Sequence, residues 1–360
     1  MRTTALLILL TASLSADITR GPYVQMPEPN SVTLVWRTAT PTTSTVDFGL
    51  THACDAGHVA LTNATTEHVV ALTGLLAGTN YFYRVGDAVH ELRTRRTAEQ
   101  TFRFVVIGDF GAPTPGAAKI ARLVNATDCD ALLTVGDNVY PSGDDKDFDP
   151  FWFTPYAATM RRVPTFPALG NHDVVTNNGQ AFINNFHLPA NGPAGLLERN
   201  YSFDFGNAHF IALDSNPFAT GDAKAIQRIL DWTKRDLAGT QQPWKIAYFH
   251  HPAYTSLSNH DETPAVRKQL MPVLEAAGVQ LVFTGHNHFY ERIRPQNGVL
   301  QIITGGSGQV LYPVLHRRKY SEKLENDRHS FTVVEITGPT LQARQIDEDG
   351  QTIDTFKLTR

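Results

Sequence analysis

Cysteine is almost missing from this chain: Cys54 and Cys129 are the only two in 360 residues. That excludes a disulfide-laced scaffold and a thiolate-rich metal site. Whether the two pair stays open, because sequence alone cannot measure the separation a bridge requires. An excess of one charge is also absent. The 31 Lys and Arg face 35 Asp and Glu, for a net charge of −4, so there is no basic field of the kind that binds nucleic acid. Beyond the first residues, no apolar run approaches the ~20 residues that span a bilayer. Charged residues make up 18% and hydrophobic ones 42%, which predicts a packed core rather than disorder. The length suits two domains, or one large α/β domain with an addition. Internal repeats and low-complexity tracts are absent.

The opening "MRTTALLILLTASLSAD" carries one Arg, a short apolar run and small residues. It reads as a secretory signal over 1–16, which predicts a secreted or periplasmic protein. From 17 to 97 the pattern is of short strands only. In "SVTLVWRT", Val32, Leu34 and Trp36 alternate with Thr33, Val35 and Arg37, and Pro, Gly, Asn and Thr clusters separate this strand from the next. That rhythm predicts an all-β, fibronectin type III-like sandwich. The polar stretch "RTRRTAEQ", 93–100, reads as a linker. From 101 to 360 strands alternate with helices. "GAAKIARLVNAT" is one helix candidate, and another places Ile226, Ile229, Leu230, Thr233 and Leu237 at helical spacing. A third contains Pro272, expected in the first turn of its last helical piece. The tail from 299 returns to strands. This is an α/β pattern, and in such folds ligands bind beyond the carboxyl ends of the strands.

Reading only those strand ends gives "GDFG" with Asp109, "GDNVY" with Asp137 and Tyr140, "GNHD" with Asn171 and His172, "FHHP" with His250 and His251, and "GHNH" with His286 and His288. Taken singly, each is an ordinary turn or cap. Together they bring carboxylate, phenol, amide and imidazole to one rim, and glycines before them let the backbone turn. Such donors without thiolate suit first-row metals. The set is too large for one tetrahedral ion. It suits two ions sharing a carboxylate, the clamp used for in-line displacement at phosphorus.

These motifs, in this order, resemble the calcineurin-like metallophosphoesterase superfamily, and within it the purple acid phosphatases. The general superfamily pattern opens with Asp-x-His and lacks a tyrosine after its Gly-Asp. Here "DFG" lacks the histidine and "GDNVY" supplies Tyr140. "RGPYVQMPEPNSVTLVWRT" and "NHFYERIRPQNGVLQIITGGSG" resemble the family's N-terminal domain and its segment after the last metal motif. The resemblance implies a catalytic domain of two mixed β-sheets flanked by helices. It implies an acid phosphatase in which hydroxide attacks phosphorus in line. Asp109, Asp137, Tyr140 and His288 would hold Fe(III). Asp137, Asn171, His250 and His286 would hold a divalent ion, Fe, Zn or Mn. His172 would act in the outer sphere and His260 as proton donor, both with Asn171 binding substrate. His251 is read as a supporting or surface group, Asp173 as support, and Glu291 and Arg292 as an ion pair behind the tip.

The partner expected is a small phosphorylated molecule, with oligomeric state left open. A phosphodiesterase or phytase-like activity is the alternative on the same site, and a non-catalytic phosphate-binding module is a third reading. Loss of ligands would mark that module, and the ligand set here is complete. His52, Asp55 and His58 fall in a predicted loop and read as surface. The triplets at Asn63, Asn125 and Asn200 are glycosylation acceptors only where the producing cell glycosylates.

Overall fold

The computed structural model describes residues 17–257 and 264–360. The expected signal, 1–16, and His260 lie outside the described residues. Five strands come first: β1 (Ile18–Glu28), β2 (Ser31–Gly49), β3 (Gly57–Thr73), β4 (Asn80–Val85) and β5 (Ala88–Arg93). Their order is β1-β2-β4-β5, with β3 also on β2. The long β2 serves both halves. Its first part pairs with β1 and the end of β3, its last part with the start of β3 and with β4, and register shifts between Arg37 and Ser44 supply the bend. Val32, Leu34 and Trp36 pack with Val46, Val70, Leu72 and Tyr83 in a small core of their own. The other face of β2 is not left to water, because Val35 joins Tyr23 in the main core.

That second face docks on the rest of the protein. Arg20 is buried, with its Nε 2.6 Å from Asp149 and its guanidinium 3.9 Å over the Phe153 ring. Tyr23 donates its hydroxyl to the Asn185 carbonyl at 2.8 Å, and Gln25 accepts from His187 N–H at 3.0 Å. The stretch expected to be a linker is braced instead: Arg93 and Arg96 both reach Asp130, at 2.9 and 2.8 Å.

Two mixed sheets form the remainder. One runs β18-β17-β16-β6-β7-β8, the other β15-β13-β14-β12-β11-β10-β9. The ranges are β6 (Phe102–Ile107), β7 (Ala131–Val135), β8 (Thr165–Ala168), β9 (Tyr201–Phe205), β10 (Ala208–Ala212), β11 (Trp244–Tyr248), β12 (Leu281–Thr284), β13 (Tyr290–Gln296), β14 (Val299–Thr304), β15 (Ser321–Glu325), β16 (Ser330–Thr337), β17 (Thr340–Asp347) and β18 (Thr352–Thr359). Strands β6, β7 and β8 are parallel, as are β10, β11, β12 and β14. Their inner faces meet through edge-on aromatics: Phe104 lies 5.2 Å from Phe210 and 6.2 Å from Phe283.

Helices cover the outside. Pro115–Ala126 is capped by Thr114, which accepts from Ala117 N–H at 3.0 Å. Ala223–Gly239 buries Ile226, Ile229, Leu230, Thr233 and Leu237, as their spacing predicts. Around Pro272 the helix widens into a π turn, Val266–Leu270, before Met271–Ala276, since proline supplies no N–H to the preceding turn. Cys54 and Cys129 are both free and buried.

Candidate metal centre

All the expected tips reach one rim of the sandwich. Asp109 follows β6, Asp137 and Tyr140 follow β7, and Asn171 and His172 follow β8. From the facing sheet, His250 follows β11, while His286 and His288 follow β12. Three of these residues sit in the left-handed region: Asp109 at φ 56°, Asp137 at φ 50° and His286 at φ 67°. Non-glycine residues held there mark stored backbone strain, which concentrates at functional sites. Close packing explains two neighbouring glycines. A Cβ on Gly136 would lie 2.6 Å from His250 Nδ1, and one on Gly170 would lie 2.1 Å from the Asp137 N and Oδ1 atoms.

The side chains converge in two groups. In the first, the Tyr140 hydroxyl lies 2.9 Å from Asp137 Oδ2, 3.3 Å from Asp109 Oδ1 and 3.2 Å from His288 Nε2. In the second, Asn171 Oδ1 lies 2.9 Å from His250 Nε2 and 3.0 Å from His286 Nδ1, and those two nitrogens are 3.2 Å apart. Asp137 belongs to both, because its Oδ1 is 3.4 Å from His250 Nε2. Two triads of possible metal donors fall on the same division: Asp109, Asp137 and His288, and His250, His251 and His286.

The donor chemistry fits cations at both positions. His250 Nδ1 meets the Val135 carbonyl at 2.9 Å, and His288 Nδ1 meets the Val310 carbonyl at 2.8 Å. Each must donate there, so each neutral ring turns a bare Nε2 lone pair inward. Lone pairs, carboxylates and an amide oxygen therefore crowd together with few protons to share. Burial raises the Asp109 carboxyl to about 6. Burial, then Asp137 and Asp109, push the Tyr140 phenol well above its usual range. A polyvalent cation removes both penalties, and oxygen with imidazole donors suits first-row ions.

A supporting layer fixes these tips. Asp173 accepts from Asn138 N–H at 2.9 Å, Asn138 Nδ2 at 2.8 Å, Val139 N–H at 3.2 Å and Gly170 N–H at 2.8 Å. It thereby ties the β7 and β8 tips together. His172 stays outside both groups. It is partly exposed, its Nδ1 meets the Pro141 carbonyl at 2.6 Å, and its Nε2 lies 4.0 Å from Asp137. His251 is buried, not a surface group. Its Nδ1 is 2.8 Å from Ser215 Oγ, and its ring is 4.6 Å from that of His286. The expected Glu291–Arg292 ion pair does not form. Alternation along β13 sends the two side chains to opposite faces: Glu291 accepts from Ser256 N–H at 2.9 Å, while Arg292 binds Asp354 at 2.8 Å and also pairs with Glu322.

Two residues escaped the sequence reading. Asn138 looks like loop filler, yet its amide spans from Thr134 to the Ala168 carbonyl. Tyr312 stacks on His288 at 4.0 Å from a loop distant in sequence, and nothing local signals it. Of the three glycosylation triplets, Asn63 is exposed, whereas Asn200 is buried and Asn125 spends its amide on Thr159 and Pro155.

The chain belongs to the calcineurin-like phosphoesterase family, whose profile matches residues 102–290. The profile of the purple acid phosphatase N-terminal domain matches residues 20–105, which places the chain on the purple acid phosphatase branch. It is 26% identical to human tartrate-resistant acid phosphatase type 5 over 301 residues, covering 73% of this chain and 92% of that one. It is 28% identical to human acid phosphatase type 7 over 398 residues, covering 92% and 89%. A solved purple acid phosphatase from yellow lupin (Lupinus luteus) seeds shares the fold with a TM-score of 0.83, over 96% of this chain and 75% of that one, at 18% identity.

Proposed function

We propose that this protein is a metal-dependent phosphoric ester hydrolase that cleaves phosphate monoesters at a binuclear centre. The observation that carries this is Asp137, whose single carboxylate places Oδ2 in one donor group and Oδ1 in the other. In this reading Asp109, Asp137, Tyr140 and His288 would hold Fe(III), for which a phenolate is a hard anionic donor. Asp137, Asn171, His250 and His286 would hold a divalent ion, Fe, Zn or Mn. Such a pair, when bound, lowers the pKa of water and neutralises phosphoryl charge.

The chain's own groups do the rest. His172 has Nδ1 committed to Pro141 and its ring held 4.5 Å from Tyr140. That leaves Nε2 to meet a phosphoryl oxygen or leaving group beside Asn171. His260 supplies the proton to the departing oxygen. The fibronectin-like unit, 17–97, supports the catalytic unit, 101–360, through Arg20, Tyr23 and Gln25. Export follows from the expected signal, and among the described residues no helix is long and apolar enough to cross a membrane.

The test is hydrolysis of phenyl phosphate and bis(phenyl) phosphate by the metal-loaded chain. The monoester should turn over at least ten times faster. Faster diester cleavage would replace the monoesterase reading, and no cleavage of either would end it.

A further inference from the structure

The loop from Ser307 to Tyr320 closes one side of the donor cluster and is fastened to it. Gln309 N–H donates to the Asp109 carbonyl at 2.8 Å, and Tyr312 N–H donates to the His288 carbonyl at 3.1 Å. The Val310 carbonyl accepts from His288 Nδ1 at 2.8 Å. At its far end Arg318 N–H donates to Ser256 Oγ at 2.9 Å, and the Tyr320 hydroxyl donates to the Thr255 carbonyl at 2.7 Å. Between these fastenings Leu315 is 86% exposed, and His316, Arg317, Arg318 and Lys319 follow it, all exposed.

Those cations are poorly neutralised: burial raises the Glu291 carboxyl and Arg317 pulls it down against that effect, but without an ion pair. Arg317, Arg318 and Lys319 form no ion pair among the described residues, although the acids of the adjoining strands are close by. Glu322 is taken by Arg292 and Arg294, Glu325 accepts from Asp327 N–H, and Glu291 is buried and bonded to Ser256. In a chain of net charge −4, contiguous cations held in no ion pair focus a local positive field that draws anions. The five Cα–Cα steps from Tyr312 to Arg317 span at most about 18 Å. The basic tip therefore lies no more than about 18 Å from Tyr312, whose ring stacks on His288.

We infer that Arg317, Arg318 and Lys319 bind a second phosphate on the substrate, remote from the one being cleaved. The substrate class is then small molecules with two or more phosphate groups set apart on one skeleton, such as a sugar bisphosphate. The inference rests on the phosphomonoesterase reading above.

The experiment compares fructose 1,6-bisphosphate with fructose 1-phosphate on the metal-loaded full chain. The variant is Arg317→Ala/Arg318→Ala/Lys319→Ala. Its ratio of kcat/KM for bisphosphate over monophosphate should fall about tenfold, close to the product of roughly twofold per exposed cation contact. The fall should come through KM. In the wild type the same ratio should drop between 50 and 500 mM salt, as exposed charge contacts do. Replacing both arginines by Lys should keep it. An unchanged ratio in the triple variant, or a salt-independent one in the wild type, overturns the assignment. A calorimetric titration with myo-inositol hexasulfate needs no turnover. The wild type should bind it about ten times more tightly than the triple variant, and equal affinities overturn the loop's role. Absence of hydrolysis with that difference intact would instead refute the phosphatase reading and leave the anion site standing.

Discussion

The Asp173 carboxylate grips Asn138 twice, accepting from its backbone N–H at 2.9 Å and from its side-chain amide at 2.8 Å. The two residues belong to different strand tips, so this pair fixes the distance between Asp137 and Asn171. Removing it leaves buried donors without an acceptor, each costing about 1–3 kcal/mol. Burial raises the Asp173 carboxyl to about 7, so at pH 5 it holds these donors without the cost of a buried charge, and there Asp173→Ala should lose about 3 kcal/mol in urea unfolding of the metal-free protein. The variant should also bind metal more weakly. A loss below about 1 kcal/mol would show that the tips are held by other means.

His209 makes stability depend on pH away from the candidate metal centre. Its Nδ1 lies 2.7 Å from Asp204 and its Nε2 2.8 Å from Asp236. Burial opposes the charged ring, but hydrogen bonds to the two carboxylates outweigh it and carry the pKa from 6.5 to about 9. The folded pKa lies above the unfolded one. The stabilisation is therefore complete below about pH 6.5 and is lost as pH rises through about 9. His209→Gln should remove that dependence. Subtracting its unfolding free energy from that of the wild type should leave a difference that shrinks between pH 6 and 10. A flat difference would contradict the bridge.

Much of the candidate site was legible because metal donors must be chemically distinctive and must sit at strand ends. Glycine followed by Asp, Asn or His at successive tips is a local signal, and the geometry brings all seven expected donors together. The supporting layer was less visible. Asn138 and Tyr312 act through partners far away in sequence, and a lone Asn or Tyr carries no pattern. Arg292 misled because adjacency in sequence suggests a pair, whereas neighbours on a strand point to opposite faces. The second face of β2 was similarly hidden, since alternation reports which residues share a face and not whether that face is covered.

His172→Ala should keep its metal content while kcat falls by roughly 10²–10⁴, the range for a lost acid or positioning group. Its ring lies outside both donor groups, so metal loss in this variant would make it a ligand instead. His260→Ala should slow alkyl phosphates more than aryl phosphates, because only poor leaving groups need the proton. Equal slowing would remove it from that role.

Tyr140→Phe deletes the hydroxyl that faces Asp109, Asp137 and His288 and little volume. The iron-loaded wild type should show a visible charge-transfer band that this variant lacks, while the fold persists. A colourless oxidised wild type, or a band surviving in the variant, would exclude the phenolate as a ligand and favour an all-divalent centre.

In the proposed centre the single Asp137 carboxylate would serve both metal positions. Elemental analysis of the wild type and of Asp137→Ala after identical metal loading decides this. The wild type should hold close to two metals per chain, one of them iron, and the variant should retain less at both positions. One metal or fewer in a fully active wild type, or two retained undiminished without Asp137, would contradict it.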